Sequence, residues 1–195
     1  MDKVSYALGL SIGNNFHALG LKNLQTEDFL KAINDVMTGS ALQISYDEAK
    51  QVMDDYFVQL QKESGEINRQ AGLEFLRINK EKAGVTELPS GLQYEILRKG
   101  EGPKPTASDR VECHYHGTLI NGVVFDSSVE RGQPATFGVS QVIPGWVEAL
   151  QLMEVGAKWR LFIPSNLAYG EQGAGEHIGP NSTLVFEVEL LNIVK

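Results

Sequence analysis

Residues 110–128 read Arg-Val-Glu-Cys-His-Tyr-His-Gly-Thr-Leu-Ile-Asn-Gly-Val-Val-Phe-Asp-Ser-Ser. From Arg110 to His116 polar and apolar side chains alternate, the period of a strand with one face toward a core. Asn121-Gly122 stands between Leu119-Ile120 and Val123-Val124-Phe125, and Asn-Gly between apolar runs is the strongest short signal for a hairpin. The stretch therefore predicts two antiparallel strands, with Cys113 and Tyr115 on one face of the first and His114 and His116 on the other. Strand-like patterns return at 92–97, 158–163 and 182–191. Pro144-Gly-Trp-Val-Glu-Ala-Leu-Gln-Leu152 reads as a short helix with proline in its first turn. Strands with one helix among them predict an antiparallel sheet wrapped on that helix.

Upstream the period changes. Residues 89–195 hold all 7 prolines of the 195-residue chain. In residues 1–88, Val4, Leu8, Ile12, Phe16 and Leu19 recur at helical spacing, and Gly20 is a natural stop. A second helix is expected from Thr26 to Gly39, and a third after Ser45-Tyr-Asp-Glu48, which reads as a capping box. The third covers about 46–83 and ends before Gly84, roughly 57 Å at 1.5 Å per residue. That exceeds the width of a small domain, so part of it should extend beyond its own. The expected organisation is α+β: an all-α region over 1–88, including the long linker helix, and a sheet domain over 89–195. The apolar stripes of the three helices outnumber the surfaces that can cover them. They pack within the chain or against the same segment of a second chain, and Ser5, Gly9 and Gly13, four apart, would let another backbone come close. Gly65 and Gly72 inside the third helix each cost about 1 kcal/mol against alanine and mark a bend or a close contact.

A net charge of -8 and a pI of about 5.0 argue against a protein that grips nucleic-acid phosphates or anionic membranes. No apolar run approaches the ~20 residues of a membrane span. The N-terminal sequence lacks a basic start and a continuous apolar block, so a cytoplasmic protein is expected, or a periplasmic one if a signal preceded this chain. The single cysteine, Cys113, excludes an internal disulfide and a Cys-cluster metal site. No phosphate-binding loop, nucleophile elbow, HExxH or GxGxxG is present. His114 and His116 share a strand face without further ligands in a recognisable pattern, so neither a metal nor a cofactor is expected.

What remains is aromatic. Tyr115, Phe125, Phe137, Trp146, Tyr169 and Phe186 lie on or beside different elements. They form either the core of a small sheet or the walls of a pocket. Asp126 directly after Phe125, Trp146 at a helix start, and Tyr169 opening a Gly-rich loop that ends in Ile178-Gly-Pro favour an apolar pocket with a few polar tips.

The segments VECHYHGTLINGVVFDSS (111–128), VIPGWVEAL (142–150), IPSNLAYG (163–170) and STLVFEVELL (182–191) resemble, in order, the signatures of FKBP-type peptidyl-prolyl cis-trans isomerases. SYALGLSIGNNF (5–16) and the long third helix resemble the N-terminal dimerisation region of the bacterial two-domain branch, which includes the macrophage infectivity potentiators and the FklB-type isomerases. The resemblance implies a pocket with Trp146 as floor, Tyr115, Phe125, Phe137 and Phe186 as walls, and Val142 and Ile143 at the rim. Asp126 and Tyr169 would be its polar groups, Ile178 would close the loop side, and Arg131 would support Asp126 and Tyr115. It implies proline-containing peptides and unfolded proteins as partners, tacrolimus- and rapamycin-type macrolides as inhibitors, and a homodimer through residues 1–88. Chaperone activity from the dimer cleft would accompany catalysis; a non-catalytic proline-binding chaperone is the competing reading. The chain departs from the family at Ala135, where many members have an aromatic, and at Ala174, where the human cytosolic member has a histidine.

Overall fold

A computed structural model of the protein describes residues 1–21 and 23–194. The chain divides into two compact units, Met1–Leu60 and Gln61–Lys195.

The first unit is helical. Helix α1 (Lys3–Ala18) is capped by Asp2, whose carboxylate accepts from the Ser5 N–H at 2.8 Å. It ends through Leu19, and Gly20 follows with φ 76. Helix α2 (Thr26–Thr38) starts without a side-chain cap, because Thr26 is its first residue rather than its N-cap, and stops at Gly39 in the left-handed conformation. Phe16 meets Phe29 edge to face at 5.3 Å, joining α1 to α2. Helix α3 (Tyr46–Asn79), whose residues from Gln61 onward belong to the second unit, opens with Ser45 Oγ accepting from the Glu48 N–H at 3.1 Å, as the capping pattern predicts. No residue of α1 is buried.

Helix α3 ends at Asn79, not near 83. The stop is tertiary: Asn79 is buried and its Nδ2 donates to Gln93 Oε1 at 3.0 Å, while Gln93 Nε2 donates to the Leu76 carbonyl at 3.0 Å. A turn then leads through Gly84, with φ 88, into a strand.

The second unit is a seven-stranded antiparallel sheet with strand order β1-β2-β6-β7-β3-β4, and β5 beside β3. The strands are β1 (Val85–Glu87), β2 (Gln93–Arg98), β3 (Arg110–Leu119), β4 (Val124–Ser127), β5 (Ala135–Gly138), β6 (Lys158–Ile163) and β7 (Leu184–Val194). Strands β4 and β5 share one edge of β3, β4 along its second half and β5 along its first. The Asn121-Gly122 hairpin forms, with Gly122 at φ 85, and a bulge at Phe125 shifts the register between Gly117 and Thr118. Helix α4 (Pro144–Leu152) contributes Trp146, Ala149 and Leu150 to a core with Val111, Leu161, Val188 and Leu190. Val111, Cys113, Tyr115 and Gly117 alternate inward along β3. β1 and β5, three and four residues long, are additions to the strands predicted above.

Candidate functional site

The site is built where β3, β4, β7 and the start of α4 meet. Gly117 on β3 pairs with Phe186 on β7. A Cβ on Gly117 would stand 2.7 Å from both the Phe125 and Phe186 rings, so only glycine lets these rings close over the strand. Gly145 does the same for the helix: a Cβ there would lie 2.6 Å from Ile163, so α4 sits tight against β6 and carries Trp146 into the sheet. Trp146 then meets three rings edge to face, Phe186 at 5.3 Å, Tyr115 at 5.5 Å and Phe137 at 5.6 Å. Phe125 meets Phe186 at 5.3 Å in the same geometry, the arrangement that aromatic quadrupoles favour.

The polar edge is a three-membered cluster. The Tyr115 hydroxyl donates to Asp126 Oδ2 at 2.5 Å. Arg131 Nη1 donates to Asp126 Oδ1, and Arg131 Nη2 donates to the Tyr115 hydroxyl oxygen at 2.8 Å. Burial is the largest single influence on Asp126 and pulls its pKa up, but the bonds from Tyr115 and Arg131 together outweigh it and hold the carboxyl below its usual range. Tyr115 moves the other way: burial, then the Asp126 carboxylate, push its hydroxyl above the ordinary tyrosine value. The sequence Asp126-Ser-Ser also fixes the backbone. Buried Ser128 Oγ accepts from the Tyr115 N–H at 2.7 Å, and Ser127 Oγ lies 3.0 Å from His116 Nδ1.

These side chains enclose a cavity of about 660 Å³. Its lining includes Tyr115, Phe125, Asp126, Phe137, Val142, Ile143, Trp146, Tyr169, Ile178 and Phe186. Arg131 stands outside the lining and bonds to two residues of it, Asp126 and Tyr115. Ala135 packs on the core without facing the cavity. Tyr169 is 41% exposed, and among the described residues neither its hydroxyl nor the Ile143 N–H has a hydrogen-bond partner. Cys113 lies outside the cavity in the core, its thiol pushed up to about 12 by burial, which makes it inert as a nucleophile.

Sequence reasoning missed Gln141 and the run Gly175–His177 as lining residues; Ala174, singled out as a departure from the family, lines the cavity as well. Gln141 closes a single helical turn, Val139–Gln141, too short to carry a period. Ala174 and Ile178 exchange backbone bonds of 2.8 and 3.2 Å, folding the intervening three residues into a tip that local composition does not orient.

Residues 102–191 match the family described as FKBP-type peptidyl-prolyl cis-trans isomerase, and residues 1–96 match the domain amino terminal to FKBP-type peptidyl-prolyl isomerase. The chain is 45% identical over 201 residues to the outer membrane protein MIP of Legionella longbeachae, covering 100% of this chain and 86% of that one. It is 44% identical to the FKBP-type 22 kDa peptidyl-prolyl cis-trans isomerase of Escherichia coli, covering 98% and 95%. The crystal structure of FkpA from Escherichia coli superposes with a TM-score of 0.74 at 35% identity, covering 98% of this chain and 95% of that one.

Proposed function

The chain belongs to the FKBP-type peptidyl-prolyl cis-trans isomerases, and from that premise we propose that the cavity around Trp146 holds the substrate proline and carries out the isomerisation. The observation that carries this reading is the lining itself: six aromatic residues around an apolar space, with the Asp126 carboxylate at its edge and its charge already taken up by Arg131. Rotation about an X–Pro bond meets a barrier of about 18–20 kcal/mol because amide resonance is lost on the way. No covalent bond is made, so no nucleophile or proton transfer is required. The twisted amide has less charge separation than the planar one and suits an apolar site better than water. A cavity that takes the ring against Trp146, Phe125, Tyr115 and Phe186 and strips water from the amide therefore stabilises the twisted form over the planar one. Each tenfold in rate needs about 1.4 kcal/mol of that preference.

The polar groups position the chain. The Tyr169 hydroxyl and the Ile143 N–H donate to peptide carbonyls, while Asp126, kept ionised and tethered to Arg131 and Tyr115, sets the field at the mouth. Phe137, Val142 and Ile178 complete the walls.

Tacrolimus- and rapamycin-type macrolides occupy the same cavity in this reading. Proline-limited refolding with and without such a macrolide is the direct test: acceleration that the macrolide abolishes is expected. Acceleration that survives saturating macrolide would take catalysis out of the cavity.

The helical region over 1–88 is proposed as a homodimerisation region, with the sheet domain over 89–195 as the isomerase. Its support is the apolar surface the first unit leaves open: Val4 is 68% exposed, Leu8 61% and Met37 81%. Two linked cavities would raise the effective concentration for unfolded proteins and add chaperone activity. The cytoplasm is proposed as the compartment, with the periplasm as the alternative, and cell fractionation decides between them.

A further inference from the structure

Two glycines inside α3 bring the helix against the chain segment that closes the cavity. Both are buried. A Cβ on Gly65 would stand 3.1 Å from the Pro180 Cβ and 3.2 Å from Asn181 Nδ2, and one on Gly72 would stand 2.3 Å from Thr183 Oγ1. The close contact, not a bend, explains glycine at these helix positions. Asn68 lies between them on the same face, and its Nδ2 donates to the Pro180 carbonyl at 2.9 Å, across 112 residues of sequence.

The segment held in this way continues directly from Ile178. Asn181 adopts φ 54, a left-handed conformation unusual outside glycine. Its N–H donates to the Gly170 carbonyl at 2.8 Å, next to Tyr169. Tyr169 and Ile178 bound the cavity loop, so Pro180-Asn181 ties the loop's entry to its exit, and Asn68 pins that tie to α3.

We infer that Asn68 is a positioning residue for substrate binding: by holding Pro180 it sets where Tyr169 and Ile178 stand in the cavity. The inference rests on the cavity being the substrate site. Releasing Pro180 lowers the fraction of molecules whose loop has the binding geometry, and the apparent dissociation constant rises by the reciprocal of that fraction. Once a peptide is seated, the rings around Trp146 act as before. KM therefore moves and kcat does not.

The test is a series in the full-length chain, assayed on a short X–Pro peptide and by amide hydrogen exchange. Asn68→Asp keeps the size of the side chain but presents no donor to the carbonyl; Asn68→Ala removes both; Asn68→Gln keeps the amide. A competent fraction near one third would raise KM about threefold. That is the result expected for Asn68→Ala and for Asn68→Asp, with kcat within about twofold, Asn68→Gln closer to wild type, and faster exchange over 170–181. A packing role alone would leave Asn68→Asp like wild type and Asn68→Ala impaired, and that pattern overturns the inference. Unchanged KM in folded variants overturns it as well, whatever the exchange does. Phe125→Ala, run alongside, addresses the cavity reading separately: full activity there would sink that reading, while exchange, which needs no substrate, still decides whether Asn68 holds the loop.

Discussion

Helix α1 and strand β7 treat their apolar side chains in opposite ways. In β7 every second residue from Leu184 to Leu190 is buried, because β3 and β6 flank the strand and α4 covers its inner face. In α1, with Val4, Leu8 and Ile12 at regular helical spacing, no residue is buried. Periodicity therefore tells which face of an element is apolar and nothing about what covers it. The sheet unit supplies its own cover. The helical unit, taken as one chain, does not, and its proposed cover is a second copy.

The largest effect expected from this contrast lies in the sheet unit. Phe125→Ala removes one wall of the cavity and its edge-to-face contact with Phe186. Losing the burial of such a ring is worth about 1.5–3 kcal/mol, which corresponds to a ten- to hundredfold fall in kcat/KM on a short peptide. Oligomeric state should stay as in wild type. A variant that keeps its activity while its fold is intact by circular dichroism would mean that the rings around Trp146 are only a core.

The counterpart in the helical unit is Leu8→Glu, a charge placed in the exposed apolar stripe of α1. Expected is a halved mass by light scattering and unchanged kcat/KM on short peptides. Activity on an unfolded protein should fall about tenfold, through lost effective concentration. A wild-type chain that scatters as a monomer breaks the comparison outright, since the exposed stripe would then need no partner.

How far the sequence carried these expectations depends on whether the signal was local. β3, β6, α4 and the Asn121-Gly122 hairpin were legible because each announces itself within its own residues: alternation, proline at a helix start, Asn-Gly between apolar runs. β5 was not. Its four residues form a strand only because the first half of β3 lies beside them, and that partner is more than twenty residues away in sequence. The end of α3 was misplaced for the same reason, since Asn79 stops the helix by bonding to Gln93 rather than by any terminal signal. The aromatic residues of the cavity were singled out by their position beside turns, and family resemblance assigned their places: Trp146 as floor, Tyr169 as a polar group and the other four as walls. Asn68 and the tip Gly175–His177 were missed because their roles depend on contacts with distant chain.

A smaller effect separates apolar from polar contributions within the sheet unit. Tyr169→Phe keeps the ring and removes one hydroxyl that has no partner among the described residues. A single neutral hydrogen bond contributes about 0.5–1.5 kcal/mol, so kcat/KM should fall about two- to tenfold. Should this variant prove worse than Phe125→Ala, with both folded, hydrogen bonding would outrank desolvation.

The smallest effect expected is a flat pH profile, and it follows from the two shifts at the polar edge. Asp126 has its pKa lowered, so the stability this gives is present above the unfolded value, about 3.9, and is lost only as pH falls through the lower folded value. Tyr115 has its pKa raised, so its contribution is present below the unfolded value, about 10, and is lost as pH rises through the higher folded value. Between about pH 5 and 9 neither group changes charge, and the Asp126–Arg131 pair persists throughout. Isomerisation of an uncharged peptide by a His177→Gln variant, which lacks the imidazole that also lines the cavity, followed by NMR exchange so that no coupling protease is needed, should vary by less than about twofold over that range. Asp126→Asn should lower the whole profile without changing its shape, because it removes the negative charge and replaces one of the two oxygens that accept from Tyr115 and Arg131 with an amide nitrogen that cannot accept. A step near pH 6–7 that disappears in Asp126→Asn would show this carboxyl titrating far above its usual range. The short bond from Tyr115 and the guanidinium beside it would then be absent in solution, and the contrast between a self-sufficient sheet unit and an incomplete helical one would lose its best-ordered example.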